Sequence, residues 1–183
     1  MGQPSDETLA RQAQAGNVDS FSLLVGRYQR TVVNLAYRML GDLHEAEDVA
    51  QEVFIRAYQS LGRYDPARRF FPWLYRIAIN RCLSTRARPR PESLADETSD
   101  ALADSAPSPE QQAARNETQA DVQRAIAALP EHERSLVALR YGADLSYDEI
   151  AATMQLPLGT VKTRLFRARQ RLAGLLDEDI DEA

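Results

Sequence analysis

The sequence predicts an all-α protein of two small helical domains, an N-terminal helical bundle and a C-terminal helix-turn-helix, joined by a flexible acidic linker. Three observations carry this expectation. Apolar residues recur at three- and four-residue steps through both halves of the chain, the spacing of one buried helix face. Strict apolar–polar alternation, which would mark strands, is missing. Between them runs a stretch bracketed by Pro89, Pro91, Pro107 and Pro109, rich in Ser, Asp, Glu and Ala. Such a stretch buries too little apolar surface to offset its ordering entropy. The expected divisions are residues 1–88, a linker at 89–110, a second domain at 111–176 and an acidic tail at 177–183.

In the first domain a short helix is expected around Glu7 to Ala15. The stripe Phe21, Leu24, Val25, Tyr28, Val32, Leu35 and Met39 then predicts a long helix that Gly41 closes. Asp42 is placed to cap the next helix, whose stripe is Val49, Val53, Phe54 and Ala57. Gly62 and Pro66 break it, leaving a loop from Leu61 to Arg69. A third strong helix follows from about Phe70 to Arg86, with Trp73, Leu74, Ile77, Ala78 and Leu83 apolar.

In the second domain Val122, Ile126 and Leu129 predict a helix ended by Pro130, and a shorter one spans about Glu131 to Tyr141 before Gly142 breaks it. Ser146 stands three residues before Glu149, the spacing of a capping box, and opens a helix through Met154. After Gln155-Leu156-Pro157 a last helix runs from about Gly159 to Leu176. It carries Lys162, Arg164, Arg167, Arg169 and Arg171 with no acid among them. Asp177, Glu178, Asp179, Asp181 and Glu182 follow at the C-terminus. The formal net charge of −5 over 183 residues therefore conceals a strongly basic helix.

Composition narrows the function classes. Apolar residues at 44% and charged residues at 27% suit a soluble globular chain. No apolar run approaches the roughly 18 residues that span a bilayer, and no charged-then-apolar leader opens the chain. The expectation is a cytoplasmic protein. A single cysteine, Cys82, closes no internal disulfide, and it reads as a small core residue rather than a redox sensor. His44 and His132 lie far apart in polar surroundings, so no metal site and no cofactor are expected. No nucleophile–base pair or glycine-rich phosphate cradle is present, which leaves no small-molecule substrate and no enzyme.

The segment from Ser146 to Arg167 has the organisation of a helix-turn-helix. Tyr147, Glu149, Ile150, Leu156, Val161 and Leu165 supply its cap and shared core, and the second helix opens on Gly159-Thr160-Val161-Lys162-Thr163. Such a helix enters the major groove with its N-terminal side chains toward base edges, where Lys and Arg reach guanine O6 and N7. The competing reading is a solvated basic face. Gln155 departs from the pattern by filling a turn position where glycine is common. In the first domain Glu45, Asp48 and Glu52 form an acidic stripe beside Gln51. The loop and helix from Leu61 to Arg88 interleave cations with aromatics, a composition suited to single-stranded DNA.

Together these segments resemble a known family. Leu129-Pro130-Glu131, Leu145-Ser146-Tyr147-Asp148-Glu149-Ile150-Ala151 and the run from Gly159 to Arg169 look like the C-terminal domain of extracytoplasmic-function sigma factors. These are promoter-specificity subunits of bacterial RNA polymerase. Asp48-Val49-Ala50-Gln51-Glu52-Val53-Phe54 and Phe71-Pro72-Trp73-Leu74-Tyr75-Arg76-Ile77-Ala78-Ile79-Asn80 resemble the N-terminal domain of that family, in the expected order. The resemblance implies a factor that binds core RNA polymerase through the largest-subunit clamp helices and the flap, and that reads promoter DNA. It assigns Asp48, Gln51 and Glu52 to the clamp. It assigns Tyr64, Arg68, Arg69, Trp73, Arg76 and Asn80 to the −10 element, with a flipped base captured near Tyr64 and Asn80. Lys162, Thr163, Phe166 and Arg167 match the −35 readers. An anti-sigma factor is the implied regulator. The alternative is a helix-turn-helix repressor or activator acting without polymerase, which needs neither an acidic docking stripe nor a single-strand pocket.

Overall fold

A computed structural model describes residues 4–88 and 109–181, and every regular element among them is helical. The expected linker falls almost wholly at 89–108, outside the described residues. The N-terminal bundle comprises α1 (Asp6–Gln14), α2 (Val18–Leu40), α3 (Leu43–Ser60), a 3-10 turn (Leu61–Arg63) and α4 (Phe70–Arg86). The C-terminal part comprises α5 (Pro109–Ala128), α6 (Glu131–Val137), a π turn (Ala138–Gly142), α7 (Tyr147–Met154) and α8 (Leu158–Asp181).

Local chemistry fixes these boundaries. Ser5, Asn17 and Asp42 each accept a backbone N–H at the start of α1, α2 and α3, satisfying donors that a helix N-terminus otherwise leaves unpaired. Gly41 ends α2 in the left-handed region at φ 87°, where a β-carbon would be strained. The first residue of α4 has no local cap; instead the Phe70 N–H donates to Glu7 Oε1 of α1 at 3.3 Å. Leu24, Val32, Leu35 and Met39 of α2 are fully buried against Val53 and Ala57 of α3 and Leu74 and Ala78 of α4, giving one continuous core.

Two sequence expectations change. Residues 177–181 continue α8 as helix instead of forming a separate tail, and α5 begins at Pro109 instead of near Gln111. The expectation of two separate lobes also meets a closer arrangement. Gln123 of α5 is buried and donates to the carbonyls of Tyr37 and Arg38 at 2.9 and 3.3 Å. It thereby joins the Gly41 N–H at the Tyr37 carbonyl, in the last turn of α2 where carbonyls look for partners outside the helix. Gly142 packs directly on the α2 backbone, and Arg69 reaches Glu149 across the same seam at 3.5 Å. A single apolar cluster therefore runs from Leu9 to Ala168.

Candidate nucleic-acid interface

The helix-turn-helix is built as its spacing predicts. Ser146 accepts from the Glu149 N–H while the Glu149 carboxylate accepts from the Ser146 N–H, a complete capping box. That hydrogen bond, with the Ser146 hydroxyl and the Arg69 guanidinium, holds the Glu149 carboxyl below its usual range. Ile150, Val161 and Leu165 are buried between α7 and α8, with Tyr147 and Leu156 half-buried beside them. Gln155 makes the turn with φ 54° and ψ 45°, so the position that usually calls for glycine keeps its left-handed geometry with a side chain present.

Lys162, Thr163, Phe166 and Arg167 are all exposed on one side of α8, at the three- and four-residue steps that stack on one face. Phe166 is 56% exposed, an unusual position for an aromatic ring. Lys162 and Arg167 enter no salt bridge among the described residues. Farther along, Arg169 and Arg171, though exposed, each reach a structural partner. Arg171 Nε meets the buried carboxylate of Glu133 at 3.2 Å, and Arg169 donates to the Tyr147 hydroxyl at 3.2 Å. The basic run is thus divided between a free strip near the helix start and structural ties farther along.

The expected −10 residues separate into three settings. Tyr64 is buried: its ring packs on Phe70 and Trp73, its hydroxyl donates to the Arg68 carbonyl, and burial pushes that hydroxyl up to about 12. The ring is thus enclosed by its aromatic neighbours, and the loop around it, not the ring face, is what the surface presents. Trp73 is half-buried in the same aromatic cluster. Arg68, Arg69 and Arg76 are exposed, with Arg69 lying over the Phe71 ring at 5.7 Å. Asn80 is exposed and lines an open groove of about 450 Å³ between α3 and α4. The groove is completed by Arg56, Gln59, Ser60, Arg63, Ile77, Arg81 and Ser84.

Arg56, Gln59 and Arg63 were missed as a set by sequence reading. Part of their signal was available, since Arg56 and Gln59 share one face of α3 and Arg63 follows in the 3-10 turn just beyond it. Cationic side chains, amides and hydroxyls on an open groove wall suit a sugar–phosphate strand with a base edge presented to an amide. A larger cleft of about 660 Å³ lies elsewhere, between α2 and α5 near Tyr37, Arg38 and Val122.

On α3 the acidic stripe proves to be mixed. Asp48 and Gln51 are exposed, and the same face continues into Ile55 and Tyr58, 56% and 46% exposed. Tyr58 stands edge-on to Phe21 of α2 at 5.0 Å. Charged groups bordering exposed apolar side chains are the composition of a protein–protein contact. Glu52 differs from its neighbours: its carboxylate turns to α4 and is held by Arg81. Cys82 is fully buried and its thiol is pushed up to about 12 by that burial. His44 and His132 are exposed.

Comparison with known proteins gives the arrangement a context. Sigma-70 region 2 matches residues 24–91, and Sigma-70, region 4 matches residues 119–172. The chain is 41% identical to the RNA polymerase sigma-H factor of Pseudomonas aeruginosa, over 99% of this chain and 98% of that protein. It is 37% identical to the ECF RNA polymerase sigma factor SigW of Bacillus subtilis, over 88% and 91% of the two chains. It is 39% identical to the ECF RNA polymerase sigma-E factor of Escherichia coli, over 93% of each. Among solved structures it is similar to CnrH, determined in complex with the cytosolic domain of CnrY. That match has 29% identity and a TM-score of 0.75, covering 96% of this chain and 99% of the other. The sigma factor RpoE of Bartonella quintana, solved with the anti-sigma factor NepR, shares the fold at 22% identity and a TM-score of 0.66. It covers 86% of this chain and 96% of its own.

Proposed function

The chain belongs to the extracytoplasmic-function RNA polymerase sigma factors, and from that premise we propose which of its surfaces performs each part of the work. As a sigma factor it binds core RNA polymerase and directs promoter-specific initiation of transcription. The exposed strip Lys162, Thr163, Phe166 and Arg167 reads the −35 duplex, with its cations on guanine edges or phosphates and Phe166 against a thymine methyl. The groove bounded by Arg56, Arg63 and Asn80 receives the single strand of the −10 element, while Arg68, Arg69 and Arg76 attract its phosphates. Tyr64 and Trp73 act from beneath, as packing that holds the loop between α3 and α4. Asp48, Gln51, Ile55 and Tyr58 dock on the clamp helices of the largest subunit, and the C-terminal domain meets the flap.

The observation that carries this reading is the presence, on one fold, of two different cation-bearing surfaces, an exposed helix strip and an open groove, and a third, acidic–apolar one. A regulator that acts on duplex DNA alone needs only the first. The work is binding and strand opening, carried out in the cytoplasm, with no reaction catalysed by the chain itself. An anti-sigma protein is the proposed regulator, supported by the likeness to CnrH in its complex with the cytosolic domain of CnrY. Run-off transcription with purified core polymerase tests the whole reading: specific transcripts are expected only when core and this chain are combined. Tight sequence-specific binding of duplex by the free chain, without transcription on adding core, would instead support the simple regulator.

A further inference from the structure

Glu52 and Arg81, 29 residues apart in the chain, form a contact that neither the clamp surface nor the −10 groove by itself explains. Arg81 is only 6% exposed and places Nε and Nη2 on the two carboxylate oxygens of Glu52 at 2.5 and 2.9 Å. The hydrogen bond from Arg81 holds the Glu52 carboxyl below its usual range and raises Arg81 in return. A buried guanidinium is a costly way to fill a helix seam, and an apolar side chain of similar volume commonly does so at no loss of stability. What a bidentate fork adds is geometry, because the rigid guanidinium holds the carboxylate in its own plane, here through the Nε and Nη2 edge.

Place supplies the rest of the argument. Arg81 follows Asn80 and lines the same groove, and Glu52 lies one helical turn before Arg56, which lines it from the other side. Asp48 and Gln51 are exposed on α3, whereas Glu52, its side chain still 44% exposed, turns its carboxylate toward α4 and the buried Arg81. We propose that Arg81 is a positioning residue that, by gripping Glu52, ties the clamp-docking helix to the −10 groove and sets the distance between Arg56 and Asn80 across it. The pair also cancels a charge inside the groove, so that retention of a strand depends on the base at Asn80 more than on phosphate attraction. Glu52 on this account serves the groove and not the clamp. The inference rests on reading the groove as the −10 site.

The test uses holoenzyme assembled from core polymerase and the full chain, with a randomised single-stranded DNA 12-mer pool as probe. Affinity for core is measured alongside. Glu52→Gln is expected to bind core within twofold of the parent, yet to retain the pool with base preferences flattened at least fivefold. Its salt dependence should steepen by about 0.7 in log–log slope, one uncovered charge on a single strand. Arg81→Met should flatten the preferences without that steepening, and the two losses should not add in the double variant. Arg81→Lys, which keeps the charge and volume but loses the fork, guards against misfolding as the explanation and should flatten them too. A tenfold loss of core affinity in Glu52→Gln would return Glu52 to the clamp and overturn the inference. So would parental base preferences in all variants, since the pair would then be packing alone. If the parent itself shows no preference among strands, the −10 reading falls first and takes this one with it.

Discussion

Gly142 of the π turn lies so close to Leu35 of α2 that a β-carbon on it would stand 3.2 Å from the Leu35 Cα and 3.1 Å from the Arg38 Cδ. The Leu35 Cα is backbone in the middle of a helix and cannot yield as a flexible side-chain end can. A β-carbon there would press the two domains apart by a few tenths of an ångström. Gly142→Ala should separate them at a cost of about 1–3 kcal/mol, the usual penalty for overpacking. Small-angle scattering would show a larger radius of gyration, and thermal unfolding would begin at a lower temperature. An unchanged radius and unfolding profile would mean that the domains do not hold this contact in solution.

Gln155 holds φ 54° with a full side chain, a conformation that costs a non-glycine residue about 1 kcal/mol or somewhat more. Part of that strain is offset because glycine has more freedom to lose on folding. Gln155→Gly should raise stability by about 0.5–1 kcal/mol, or roughly 2 °C in melting temperature for a chain of this size. Because Gln155 is exposed and stands before the recognition strip, −35 binding should be unaltered. A destabilised variant would show that the glutamine side chain contributes something its exposure hides.

The capping box gives a pH dependence with a definite sign. Glu149 has a carboxyl lowered by the Ser146 N–H, so the unfolded chain takes up its proton first as pH falls. Its contribution is complete above the unfolded value near 4.3 and is lost as pH drops through the lower folded value. Glu149→Ala should cost about 0.5–1 kcal/mol at pH 7, and the difference from the parent should shrink below pH 4. Urea melts at pH 7 and pH 3 would check this; an equal gap at both would assign the effect to packing instead of charge.

Helix positions were legible in the sequence because apolar spacing and caps act locally: α4 begins and ends where Phe70 and Arg86 had been placed, and the Ser146–Glu149 box forms as spaced. What was not legible depends on partners distant in the chain. Gly142 reads as a helix breaker until α2 lies against it. Tyr64 sits in a loop rich in cations and aromatics, and nothing nearby shows that Phe70 and Trp73 enclose it. Arg81 falls at a buried position of α4 that a charge disguises, and only Glu52, on another helix, makes that burial tolerable. Arg169 and Arg171 count as basic surface until Tyr147 and Glu133 come within reach. Charges are the hardest residues to place from sequence, since a single distant partner decides whether they face solvent or structure.

Cys82 offers a direct check on whether the chain carries a redox-responsive thiol. It is fully buried, and its thiol is pushed up to about 12, leaving almost no thiolate at neutral pH. An alkylating reagent at pH 7.5 should label the folded chain far more slowly than the chain in denaturant. Oxidant should leave transcription unchanged. Fast labelling of the native state would show that the seam around α4 opens, and would make Cys82 a candidate sensor.

The division within α8 yields the sharpest mutational contrast. Lys162 and Arg167 belong to the exposed strip, so Lys162→Ala and Arg167→Ala should each weaken −35 recognition by about 1–3 kcal/mol where they meet a base edge. Contacts to phosphate would instead lower affinity evenly over all sequences and flatten the salt slope. Arg171 is spent on Glu133, whose side chain is buried. Arg171→Ala should therefore remove the nearby positive charge from a carboxylate oxygen that already lacks a hydrogen bond and cost about 1 kcal/mol of stability or somewhat more, with sequence preference intact in the folded fraction. Arg169→Ala loses its bond to Tyr147 and should behave in the same manner, more mildly. Competition binding on −35 duplexes, paired with urea denaturation of each variant, separates the two classes. Loss of sequence preference in Arg171→Ala without loss of stability would move the recognition surface one turn and more toward the C-terminus of α8.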